Sequence, residues 1–257
     1  MTNIYVMMYQ PDDHVLKIKD PIYIPLHCGK DIYIPNGSKE FLPKLGDNTG
    51  ENISKFNKLY SELTGTYWVW RNVDYKPDDI IGINHYRRYF AEPEDLNKPI
   101  SEETIKKLLL EHDYLVNGYG TDFDPTQPGD EMIYDQYARM HIKDDMDMAI
   151  NAIYHIYKHD FAEKVVHEIK HSGAMCCNNM LICNGYHFDR YCGFLFAILY
   201  YMRNRIDFTQ DKYQGYNQRV FGFLSERLMR PFMKAAGYDA IQVPELNWEK
   251  YSGYVWR

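Results

Sequence analysis

The run Asn84-His85-Tyr86-Arg87-Arg88 places an amide, an imidazole and two adjacent guanidiniums together, interleaved with aromatic rings. Guanidinium binds phosphate or carboxylate through two parallel hydrogen bonds, so Arg87 and Arg88 suit an oxyanion ligand. The cluster directly follows Ile80-Ile81-Gly82-Ile83, a short apolar run expected of a strand buried on both faces. Open α/β sheets build ligand sites at the carboxyl ends of such strands. Solvated loop arginines are the plain alternative; the position behind a buried strand favours the ligand.

Other constellations are looser. Arg219 and Glu226-Arg227 fall on one predicted helix, seven residues apart and so on one face. Glu226 there could act as a general base while the arginines hold a diphosphate, or the three could form an ordinary ion-pair cluster. Asp122-Phe123-Asp124 fits the two-carboxylate pattern that holds Mn²⁺ or Mg²⁺ against a diphosphate, although solvated loop carboxylates explain it as well. His155 with His159 and His167 with His171 have the i, i+4 spacing of a shared metal, but exposed histidines on amphipathic helices suffice. The dinucleotide Gly-x-Gly-x-x-Gly, the Walker loop and the Gly-x-Ser-x-Gly elbow are all missing.

The elements that must position these residues follow from periodicity. Ile4 to Tyr9 reads as a first buried strand, stopped by Gln10-Pro11-Asp12-Asp13. The similar pieces Ile22-Tyr23-Ile24-Pro25 and Ile32-Tyr33-Ile34-Pro35 read as loop. Ser54 is the expected cap of a helix running to about Asn72, with Phe56, Leu59, Tyr60, Leu63, Tyr67 and Trp70 on one stripe. Asn57 and Glu62 lie beside that stripe, facing a cleft or water. Ser101 caps a helix over 102–112, and a strand follows around 114–116. A helical region is expected over roughly 134–169, a strand over 175–183 interrupted by two amides, and helices over 188–205 and 217–236. Strands alternating with helices predict an α/β fold: one domain over 1–257, a mostly parallel central sheet flanked by helices, and 237–257 as a C-terminal arm.

Composition narrows the class. With 257 residues, 45% of them hydrophobic, the chain can bury a substantial core. Its 29 Lys and Arg against 36 Asp and Glu give a net charge of −7 without a basic stripe, which argues against a nucleic-acid partner and confines any anionic ligand to a local basic pocket. The 24 Tyr suit stacking on sugars or bases as readily as core packing. Five unpaired cysteines without metal-ligand spacing, no signal peptide and no apolar run of bilayer length predict a reduced, cytoplasmic protein with at most peripheral membrane contact.

Three stretches resemble a bacterial family of capsular and exopolysaccharide gene clusters, the domain of unknown function 4422: 46–54 (Gly-Asp-Asn-Thr-Gly-Glu-Asn-Ile-Ser), 60–72 with its Trp-x-Trp, and 82–90 with His-Tyr-Arg-Arg-Tyr-Phe. The likeness continues through 138–144, 179–182 and 219–228. It implies a GT-A-type glycosyltransferase that moves a hexose from a nucleotide-diphosphate sugar, such as a UDP-sugar, to a glycan or polyprenyl-diphosphate-linked acceptor. Some relatives look like galactofuranosyltransferases. The resemblance also implies that His85 and Arg87 neutralise the diphosphate where many such enzymes place Asp-x-Asp, which would make a metal dispensable. Donor contacts are expected from Tyr9, Gln10, Asn52, Asn57, Glu62, Asn84, Arg88, His141, Asn179, Arg219 and Arg227. Tyr9-Gln10 departs from the family's Thr-His-Lys-like triplet. Glu226 is the first candidate base, followed by Asp122, Asp124 and Glu131. A non-catalytic glycan- or nucleotide-sugar-binding protein is the alternative.

Overall fold

A computed structural model describes residues 1–10, 18–34, 42–118 and 131–246. They form one α/β domain around a six-stranded sheet. The strands are β1 (Thr2–Met8), β2 (Tyr23–His27), β3 (Ile80–His85), β6 (Tyr114–Gly118), β7 (Cys176–Asn184) and β8 (Ala240–Gln242), in the order β2-β1-β3-β7-β6-β8. All neighbours are parallel except β7, which runs antiparallel to both β3 and β6. A small antiparallel hairpin, β4 (Ala91–Glu92) and β5 (Asp95–Pro99), stands apart.

Period-two alternation divides the sheet's side chains between two cores. Tyr5, Met7, Ile81, Ile83, Val116 and Leu181 face the helices α1 (Asn57–Tyr60), α2 (Leu63–Asn72), α4 (Ile133–Met140), α5 (Lys143–Ile156), α6 (His159–His171), α7 (Gly185–Arg203) and α8 (Val220–Ala236). Ile4, Val6, Met8, Ile80, Leu115 and Ile182 face α3 (Glu102–Leu108) and the segment after β8. β3 therefore has apolar side chains on both faces, as its sequence predicts. At Gly65 a Cβ would come within 2.5 Å of Met7 Sδ, so the glycine lets α2 lie against the sheet.

Ser101 accepts from the Thr104 N–H and starts α3 as expected. All five cysteines are buried and unbridged. Among the described residues no helix is long and apolar enough to cross a membrane.

Several expectations fail for identifiable reasons. The helix expected over 54–72 is broken: a 3₁₀ turn over Ser54–Phe56 leads into α1, and Ser61, at φ 52° and ψ −134°, leaves the helical path before α2. The apolar stripe continues across the break, so periodicity does not register it. Ser54 caps nothing; its hydroxyl donates to buried Asp47 at 2.5 Å. The stretch around Ile22-Tyr23-Ile24-Pro25 contributes an edge strand, β2, where Pro25 is tolerated. The expected helical region over 134–169 divides into three helices. Of the expected arm, Val243 and Leu246 are buried beside β3's exit, with Ala91 N–H bonded to Pro244 O and Leu246 N–H to Tyr89 O; residues 247–257 lie outside the described residues.

Candidate active site

A cleft of about 450 Å³ opens where β1 and β3 end. Met7, Met8, Tyr9 and Gln10 line it from β1, and His85, Tyr86 and Arg87 from β3. The broken helix supplies the opposite wall through Asn57, Lys58, Ser61 and Glu62. Gly215, Gln218 and Arg219, from the 3₁₀ turn before α8, close the third side. A second groove of about 340 Å³ lies among Tyr157, Phe161, Gly193, Phe194 and Phe232, but no strand contributes to it and its floor is aromatic. The first cleft is where the chemistry-bearing side chains meet.

Three cations face that cleft: Lys58, Arg87 and Arg219. Among the described residues none of them makes an ion pair. Arg87 lies over the Tyr86 ring, 4.9 Å from its centroid, and Arg219 donates Nε–H to Ser61 Oγ at 3.0 Å. Unpaired cations converging at strand ends favour a polyanion. Arg88 is engaged elsewhere. It is bonded to Glu245 at 3.0 Å, and Glu245 also accepts from Asn117 at 2.6 Å and Asn178 at 3.3 Å. The expected pair of gripping arginines is thus divided between the cleft and an ion pair.

His85 does not act as a cation here. Burial, then Arg87, Arg88 and Arg219, push its pKa down to about 3. Its Nδ1 accepts from the Arg87 N–H at 3.3 Å, which puts the ring proton on Nε2 and makes the neutral imidazole a hydrogen-bond donor. The implied charge neutralisation by His85 is therefore replaced by hydrogen bonding.

Two carboxylates, Glu62 in the cleft lining and Glu226 outside it, are bonded by a kink in β7. Asn178 and Asn179 both adopt left-handed backbone, φ 60° and 52°, and pairing with β6 shifts register between Val116 and Gly118. Asparagine tolerates this conformation better than most residues, and two in succession within a strand concentrate strain at a functional place. The kink turns the Asn178 N–H onto Glu226 Oε1 at 2.7 Å and the Asn179 amide onto Glu62 Oε1 at 2.6 Å. Ser225 holds Asn179 from the other side at 2.5 Å. Glu62 lines the cleft; Glu226 stands behind it, bonded to Arg227 at 2.7 Å. Burial raises the Glu226 pKa; Arg227 counters and Glu62 reinforces the shift.

The remaining expected residues are dispersed. Asn57 lines the cleft but spends its amide on Ser61 O and Thr64 Oγ1, at 2.7 and 3.0 Å. Asn52 is a turn residue, accepting from the Ser54 N–H. Asn84 is buried on the sheet's other face, and its amide nitrogen and oxygen have no partner among the described residues. Arg227 is buried against Gln136, Phe223 O and Glu226. Glu131 is ion-paired to Arg139 at 2.6 Å. His141 stacks on Phe223, and burial with Arg227 pushes its pKa down to about 4. Asp122 and Asp124 lie outside the described residues, and among the described residues no group of three or more His, Cys, Asp or Glu is arranged to hold a metal.

Sequence reasoning missed Lys58, Ser61, Gln218 and Cys28 as cleft residues. Lys58 shares the helical stretch with Asn57 and Glu62, which was the available signal.

The model of one family, described as domain of unknown function DUF4422, matches residues 3–237. The chain belongs to that family. No curated protein matches this DUF4422 chain. A solved apo structure of the WbbM bifunctional glycosyltransferase matches it with TM-score 0.77 and 25% sequence identity, over 95% of this chain and 45% of that one. The DUF4422 chain thus spans less than half the length of that protein.

Proposed function

We propose that this chain is a glycosyltransferase of GT-A type, transferring a hexose from a nucleoside-diphosphate sugar to a glycan or polyprenyl-diphosphate-linked acceptor in surface-polysaccharide synthesis. The observation that carries this reading is the convergence of Lys58, Arg87 and Arg219, none ion-paired among the described residues, on one cleft at the ends of β1 and β3. The likeness to a bifunctional glycosyltransferase supports it. UDP is the nucleotide we assign, and galactose or galactofuranose the sugar.

When the bond between the anomeric carbon and the diphosphate oxygen breaks, negative charge grows on the leaving diphosphate. Cations fixed in advance stabilise that charge most where it develops, and Arg87, Arg219 and Lys58 take this role, with the His85 Nε2–H as a neutral donor. Glu62, held by Asn179, accepts from hydroxyls of the donor sugar. Transfer with inversion requires removal of the acceptor's hydroxyl proton, and Glu226 receives it; its raised pKa suits a base working near neutrality. If Asp122 and Asp124 hold Mn²⁺ or Mg²⁺, the ion adds further positive charge at the diphosphate.

Incubating the protein with a panel of nucleotide sugars, with and without Mn²⁺, and measuring release of nucleoside diphosphate without acceptor tests the reading. Slow release from at least one donor supports an enzyme. Binding without release from any donor leaves a non-catalytic sugar-nucleotide-binding protein.

A further inference from the structure

Beside the cleft, and outside its lining, three rings form a stack. His141 lies 4.2 Å from Phe223 at 18°, Tyr216 lies 4.7 Å from Phe223 at 36°, and Tyr216 and His141 are 6.1 Å apart at 19°. Phe223 is 8% exposed and anchors the stack in the core, while Tyr216 is 61% exposed. An isolated exposed tyrosine needs no explanation. This one has neighbours that give it a use. Gly215 precedes it, and Gln218 and Arg219 follow within one turn; all three line the cleft. The Arg219 guanidinium sits 5.4 Å above the Phe223 ring. Glu226 lies three residues beyond Phe223, on the next turn of α8. Met140, 49% exposed, adjoins His141 in the chain.

We propose that the Tyr216–Phe223–His141 stack seats the acceptor saccharide, with a pyranose ring lying on Tyr216 beside Glu226. A pyranose presents axial C–H groups on one face, slightly positive and apolar, which complement the negative face of an aromatic ring, while its rim of hydroxyls remains free for polar partners. The stack borders the cleft through Arg219, which lines the cleft and lies over Phe223, while Glu226 follows Phe223 by one turn of α8; a ring whose hydroxyl is to meet a donor needs a seat at such a border. The assignment rests on the glycosyltransferase reading above.

Saturation-transfer NMR with methyl α- and β-hexopyranosides, in the presence of UDP, tests it. Parallel thermal-shift measurements with UDP alone use the wild type, Tyr216→Ala and Tyr216→Phe. The expected result is transfer to ring C–H protons of at least one glycoside in the wild type, reduced five-fold or more in Tyr216→Ala and kept in Tyr216→Phe, with the UDP-induced shift the same in all three. Absence of transfer in the wild type, or transfer that survives in Tyr216→Ala, overturns the proposal. So does a loss of UDP binding in Tyr216→Ala, which would make the stack a seat for the nucleobase. A wild type that does not bind UDP but shows Tyr216-dependent transfer supports the saccharide seat and counts against the donor reading alone.

Discussion

Arg219 donates to the hydroxyl of Ser61 at 3.0 Å, and Ser61 is held at φ 52° and ψ −134°, backbone that residues other than glycine rarely adopt. The break between α1 and α2 thereby turns a side chain onto the cation entering α8, joining two walls of the cleft.

Arg219→Ala is expected to reduce turnover roughly 100- to 1,000-fold, the loss typical of removing one preorganised charge-stabilising donor. Ser61→Ala, which leaves the cation but removes its tether, should cost about ten-fold, equivalent to one hydrogen bond to a charged group. Steady-state kinetics of both variants check the ordering. Equal losses would show that Ser61 does more than orient Arg219.

Arg87 and Arg88 are adjacent yet differently placed. Arg87→Ala should reduce turnover strongly, and Arg88→Ala only slightly, because Arg88 is engaged by Glu245. A double-mutant cycle of Arg88 and Glu245 on stability should give a coupling of about 0.2–1 kcal/mol, since both side chains are partly exposed. An Arg88→Ala defect as large as that of Arg87→Ala would place Arg88 on the ligand.

Asn84 is fully buried, and among the described residues its amide nitrogen and oxygen have no partner. A buried amide left unsatisfied costs about 1–3 kcal/mol, so Asn84→Val is expected to raise stability by about 1 kcal/mol or more in denaturant unfolding. Destabilisation by a similar amount would reveal a partner for the amide.

Below its ordinary value of 6.5, His85 resists protonation in the folded protein down to about 3. Between these values the unfolded chain binds a proton that the native state refuses, so this residue's contribution to stability declines as pH falls through that window. Asp145, pushed up to about 6 by burial, works in the opposite sense. Comparing His85→Asn with the wild type isolates the histidine: thermal unfolding of the variant should lose less stability on acidification. A steeper acid dependence in the variant would contradict the assigned neutral imidazole.

The half of the site built on β3 is legible in the sequence, because an apolar run ending abruptly in polar residues has a single geometric reading in an α/β fold. The opposite wall is not. Lys58, Ser61 and Glu62 look solvated by helical period, and the kink that turns them inward comes from packing: at Gly222 a Cβ would lie 3.1 Å from Ser61 Oγ, so α8 presses against the break. β7 is recognisable as a strand with two amides, but its reversed direction and the left-handed pair Asn178–Asn179 depend on partners distant in the chain. β2 is obscured by Pro25, which an edge strand tolerates.

Calorimetric titration with uridine, UMP and UDP addresses the central claim most directly, because each phosphate adds negative charge opposite Lys58, Arg87 and Arg219. The account predicts affinity rising from uridine to UMP to UDP, with the increment abolished in the Arg87→Ala/Arg219→Ala double variant. Equal affinity for uridine and UDP, or UDP binding unaffected by the double variant, would contradict it.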